Sequence, residues 1–182
     1  MSVESHSHET PNDPQSTRWC VRWWWLVALA SLVAAAITNA AAQGFPIVAL
    51  ELAGTAERAT EAVSGYSVDA IRATIIWDFL FLALYAPALF CGALWARKQF
   101  RGRTGRRLGF PIAIGGIVAG LLDIIENAAM LAYLADPQGW NGWIPIATAT
   151  AIPKFLLVLV AIVYIVVGIV LLAIRKLFPD RD

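Results

Sequence analysis

Leu121-Leu122-Asp123-Ile124-Ile125-Glu126-Asn127-Ala128-Ala129-Met130 sets two carboxylates and an amide inside an otherwise apolar run from Phe110 to Leu134. A run of that length spans a bilayer as a helix. Ionisable groups at membrane depth are costly to keep, so each is read first as a functional-site candidate. At helical spacing Asp123, Glu126 and Asn127 stand at i, i+3 and i+4 and share one face. Gly116 and Gly120 precede them on that face, where the missing side chains let a second backbone come close.

Three more apolar blocks of spanning length flank this one, at about 23–42, 71–95 and 147–174, with the quoted run as the third block at about 110–134. Of the 182 residues 59% are hydrophobic and only 15% charged, against about 25% charged in an average soluble domain. A soluble fold of this length could not enclose so much apolar surface. The expected class is an all-α integral membrane protein, a four-helix transmembrane bundle in the lipid bilayer. The expected organisation is a disordered tail over 1–17, a single four-span domain over 18–176 and a short tail over 177–182. A net charge of +1 gives no electrostatic case for nucleic acid, so no such partner is expected.

The distribution of charge carries more than its sum. Arg97, Lys98, Arg101, Arg103, Arg106 and Arg107 crowd the connection between the second and third blocks, with no acid among them. Arg18 and Arg22 precede the first block, and Arg175, Lys176 and Arg181 follow the last. The other two connections hold Glu51, Glu57, Glu61, Asp69 and Asp136 against Arg58 and Arg72. Excess Lys and Arg on the cytoplasmic side then predicts a multi-pass cell-membrane protein with both termini in the cytoplasm. Cys20 and Cys91 fall near the cytoplasmic ends of their blocks, where thiols stay reduced, so no disulfide is expected.

Trp23-Trp24-Trp25 after Arg22 is the aromatic and basic signature of a membrane interface. The first block closes on Asn39-Ala40-Ala41-Ala42-Gln43, which resembles a signal-peptidase site. Its length, and the acids Glu4, Glu9 and Asp13 ahead of it, favour a retained helix over a cleaved leader. Ser31, Ala35, Thr38, Asn39 and Ala42 give that helix a small, weakly polar packing face. Between blocks one and two, Pro46 suits a helix start and Gly65 a helix end. Glu51, Thr55, Glu57, Arg58 and Glu61 interleave with apolar residues there, which predicts one short external helix on or near the outer surface, as a cap on the bundle in preference to a gate.

The remaining blocks carry one polar group each at matching depth. Asp78 stands in the second with Thr74 and Tyr85 on its face, and Lys154 in the fourth. Ala147, Lys154, Ala161 and Gly168 recur every seven residues, the pattern of a buried seam. At about 1.5 Å rise per residue, Asp78, Asp123, Glu126, Asn127 and Lys154 all fall in one slab of the outer leaflet. Asn39, Thr74, Tyr85 and Thr150 are the candidates for a surrounding polar layer. Three carboxylates against one ammonium would leave −2 in a low dielectric, so one or two acids should hold a proton. Lys154 is expected to pair with Asp78 or Glu126, and Asp123 and Glu126 to share that proton.

Three readings follow. The site exchanges a proton, an ion or a small polar solute; or the network fixes helix packing in a subunit whose protein partner or second copy docks on small-residue faces; or it acts on a lipid, which requires a lateral opening at the level of Glu126. No nucleophile–base pair, no histidine within the blocks and no phosphate loop is present, so no catalytic residue, cofactor or metal site is assigned.

Overall fold

The computed structural model describes residues 15–42 and 44–178, without the side chains of residues 15–21 and of Ala41. The tail expected over 1–17 therefore lies almost wholly outside the described residues, as do the end of the tail over 177–182 and the side chain of Cys20. The described chain is all helix: α1 (Gln15–Ala41), α2 (Ile47–Glu51), α3 (Ala56–Val63), α4 (Val68–Arg97), α5 (Arg103–Ala135) and α6 (Trp143–Leu177). α1, α4, α5 and α6 are long and apolar enough to cross a membrane. All four begin earlier than the apolar blocks suggest. α5 opens in the arginine-rich connection, so Pro111 sits inside the helix and not in its first turn. α6 likewise runs through Pro153.

α4, α5 and α6 pack on one another as a three-helix core, and α1 lies along α4. The α4–α5 seam is close because glycine faces it. A Cβ built on Gly116 would stand 2.9 Å from Leu89 Cβ, and one on Gly120 would stand 2.7 Å from Ala86 Cβ. On α6 the seven-residue seam points inward: Ala147, Ala151, Lys154, Ala161 and Gly168 are all buried. The opposite face, with Ile152, Leu156, Leu159, Val163 and Val170, is exposed and aliphatic, as a lipid-facing stripe requires.

The α1 face in contact differs by a register step from the expected one. Ser31, Ala34, Thr38 and Ala42 are buried, whereas Asn39 is exposed. The Ser31 and Thr38 hydroxyls donate to the carbonyls of Val27 and Ala34 one turn back, which hides their polarity inside the helix. At the other end of α1 the Trp24 and Trp95 rings meet at 5.0 Å. Cys91 on this contact between α1 and α4 is disulfide-bonded, which corrects the expectation of reduced thiols.

The connection over 43–70 also differs from the single surface helix expected. It forms two short helices that fold onto the bundle end. Leu50, Ala53 and Ala59 are buried there against Ile71, Ile75, Met130 and Ile144. Gly54 breaks them apart at φ +73°, a left-handed conformation that glycine adopts without a Cβ clash. Thr148 of α6 holds the break: its hydroxyl donates to Glu51 O at 2.8 Å and accepts from Gly54 N at 3.0 Å. Tyr133 of α5 meets Thr60 of α3 at 2.9 Å. Thr55 caps α3 and Ser67 caps α4.

Candidate functional site

Just beneath α2, helices α4, α5 and α6 bring Asp78, Asp123, Glu126, Asn127 and Lys154 together. The helices alone dictate the meeting. Asp123, Glu126 and Asn127 share a face of α5, the glycine seam draws that face against α4, and the α6 seam aims Lys154 at both. Glu126 and Asn127 are fully buried; Asp123 keeps 3%, Lys154 5% and Asp78 9% of its exposure.

Lys154 Nζ donates to Asp123 Oδ1 at 2.9 Å and to Glu126 Oε1 at 2.9 Å. Its third carboxylate is Glu51 Oε1 at 3.7 Å, delivered by the last residue of α2. Tyr85 donates to the other Asp123 oxygen at 2.7 Å. Asp78 does not reach the lysine; Asn127 Nδ2 donates to its Oδ2 at 2.7 Å. Of the two partners expected for Lys154, Glu126 is the one it meets and Asp78 is not. Asp123 joins Glu126 on the ammonium, and Asn127 serves Asp78.

Glu51 is the residue that the sequence reading left outside. It is only 4% exposed, although its neighbours Glu57, Arg58 and Glu61 on the same connection face solvent. Its helical repeat looked like that of any surface acid, and what buries it is Gly54 folding α2 against Thr148. Burial pushes the Glu51 carboxyl above its ordinary value, against the pull of Lys154.

Of the proposed polar layer only Tyr85 touches the cluster. Thr74 and Thr150 turn their hydroxyls onto their own helix, to Ala70 O at 2.9 Å and to Ala147 O at 2.8 Å. Asn39 is exposed on α1, away from the site. A threonine in an apolar helix has a carbonyl one turn back within reach, and sequence alone does not separate that bond from a tertiary one.

Among the described residues, three buried side-chain atoms have no hydrogen-bond partner: Glu51 Oε2, Glu126 Oε2 and Asn127 Oδ1. Glu126 Oε2 does lie 2.8 Å from Lys154 Nζ, close enough for charge attraction but off the hydrogen-bonding direction. Glu51, Asp78, Asp123 and Lys154 form one end of a cavity of about 470 Å³. Apart from Ser31 and Tyr85 the rest of its wall is apolar, with Leu32 of α1, Val48 of α2, Phe81 and Leu89 of α4, and Val158 and Ile162 of α6. α1 and α6 face each other across this space and share no extensive packing among the described residues. The cavity thus has an acidic head, an apolar body and a side open between two helices.

Comparison of the chain with known protein families, characterised proteins and solved structures finds no match.

Proposed function

We propose that this chain is a multi-pass membrane protein of binding or transport type, whose carboxylate–lysine centre exchanges protons as a small molecule enters the cavity beside it. One observation carries the reading: the charged centre is the lining of a cavity and not a sealed network. A network that only fixed helix register would have its polar atoms mutually satisfied. Here four buried carboxyls stand against one ammonium that three of them approach, a buried oxygen of Glu51 has no hydrogen-bond partner, and Glu51, Asp78, Asp123 and Lys154 line the cavity.

Protons balance the remaining charge. The relevant groups are Glu51 on α2, Asp78 and Tyr85 on α4, Asp123 and Glu126 on α5, and Lys154 on α6. The sign is set by Glu51, which lies outside the long helices. Its folded-state carboxyl is raised, so the folded protein holds a proton there that an unfolded chain has released. Stability from this group is greatest at low pH and falls as pH rises through the raised value. Wild-type melting temperature should therefore decline as pH rises above the ordinary carboxyl range, and Glu51→Gln should flatten that decline. In liposomes with a trapped pH dye, a panel of cations and small solutes should include one that drives proton movement. Asp123→Asn and Glu126→Gln should stay folded and lose that movement. If wild type moves no protons and both variants lose expression and melting temperature together, the cluster is a packing device in an assembly subunit.

We further propose that both termini and the 97–107 connection are cytoplasmic, which places the centre in the outer half of the bilayer. The six basic residues of that connection support this orientation. The disulfide at Cys91 argues the other way; the charge bias weighs more because it acts at every connection of the chain. In a cysteine-free background, a membrane-impermeant maleimide should label Ser64→Cys on intact cells and leave Gly102→Cys unlabelled. The reverse pattern would invert the topology.

A further inference from the structure

We propose that the cavity between α1 and α6 takes a lipophilic cation, an amine or quaternary ammonium on an apolar body, which enters sideways from the bilayer. The inference rests on the reading of the centre as a ligand site, and it adds the chemical class of the ligand. Size comes first. About 470 Å³ lies within the range of about 300–1,000 Å³ typical of small-molecule pockets. The walls then divide the ligand in two. Leu32, Leu89, Val158 and Ile162 accept a hydrocarbon body, while Glu51, Asp78 and Asp123 stand at the head.

Charge selects the sign of that head. Lys154 is already held by Asp123, Glu126 and Glu51, so it has no free side to offer an anion. A carboxylate or phosphate entering here would meet four acids and one committed ammonium. A cation meets the reverse, the carboxyls of Glu51, Asp78 and Asp123 at the head of the cavity, and Glu51 still has a buried oxygen, Oε2, without a hydrogen-bond partner. Aromatic faces reinforce the choice. Phe81 and Tyr85 pack at 5.0 Å on the α4 wall, and Phe155 lies on the α6 wall with Lys154 4.6 Å above its ring. Such rings attract cations and do nothing for anions.

The route follows from the packing. α1 is fastened to α4 and leaves its α6 side open, so a molecule dissolved in the acyl chains reaches the acids without passing the α2–α3 cap. On arrival its positive charge replaces a proton in the centre. One cation binds and a proton leaves, so affinity should rise with pH.

Calorimetric titration of the protein in nanodiscs, against empty nanodiscs, separates the alternatives with three probes that share a tail: decyltrimethylammonium, decanol and decanoate. Wild type should bind decyltrimethylammonium saturably, with an enthalpy that depends on the ionisation heat of the buffer because a proton is released. Glu51→Gln should weaken that binding about tenfold or more, as expected when a buried charge loses its partner, and should reduce the proton count. Val158→Phe, which fills the apolar wall, should block binding with the centre intact. Saturable binding of decanol or decanoate as tight as that of the cation, or cation binding untouched by Glu51→Gln, would overturn the cationic assignment. If such binding is still blocked by Val158→Phe, the ligand site itself stands. No saturable binding of any of the three would overturn both.

Discussion

Lys154→Met should be the most damaging single substitution in the long helices, with a loss of about 3–5 kcal/mol, the usual result of removing one member of a buried ion pair. Methionine matches the lysine stem in volume and flexibility, so the loss is electrostatic and not a cavity effect. The ammonium stands 2.9 Å from Asp123, 2.8 Å from Glu126 and 3.7 Å from Glu51. Without it those carboxyls are left in an apolar interior with no counter-charge. The measurement is the yield of monodisperse protein and its melting temperature in mild detergent. A charge-matched rescue separates this cause from simple misfolding. Lys154→Met combined with Asp123→Asn and Glu126→Gln should recover most of the loss, because amides keep the shape and remove the uncompensated charge. If the single variant melts with wild type, Lys154 does not bind these acids and the centre does not exist as described.

The fold and the centre were legible to different depths in the sequence, for physical reasons. Long apolar blocks fix the number of long helices because backbone polarity leaves few other solutions for such segments. The heptad of Ala147, Lys154, Ala161 and Gly168 and the α5 face of Asp123, Glu126 and Asn127 are helical periodicities, and both describe faces that are buried here. Pairing within the cluster was not legible. Which acid the ammonium reaches depends on helix rotation and on differences of an ångström or two, and sequence spacing resolves neither. Glu51 was hidden for another reason. α4, α5 and α6 carry their members of the cluster on helical periodicities, but α2 is aimed by a tertiary event, the glycine break at Gly54 and the Thr148 clamp. The cavity was hidden as well, because it lies between α1 and α6, which share no extensive packing among the described residues. The same arrangement explains how a charged centre and an opening coexist. Three mutually packed helices hold the charges rigid, and α1 is free to be a wall without being part of the core.

Gly120→Leu should separate that core from its centre. A Cβ at this position would lie 2.7 Å from Ala86 Cβ, and alanine has no flexible end to move aside. α4 and α5 must move apart, and an overpacked interface of this kind loses about 3 kcal/mol. The shift acts where it matters most. Ala86 adjoins Tyr85, and Gly120 lies one turn before Asp123, so separation stretches the 2.7 Å Tyr85–Asp123 bond first and the 2.7 Å Asn127–Asp78 bond next. Each strands a buried polar group, with a further loss of about 1–3 kcal/mol apiece. Gly115→Leu is the control on the same helix. Its Cβ would meet Leu157 Cδ2 at 3.3 Å, the far end of a side chain that can turn, so its melting temperature should stay close to that of wild type. Cation binding sharpens the contrast, because Gly120→Leu should lose it even at temperatures where the variant remains helical, and Gly115→Leu should retain it. A Gly120→Leu protein as stable as wild type beside an unstable Gly115→Leu would mean that α5 presents a different face to α4. Asp123 and Glu126 would then not point where the proposed mechanism needs them.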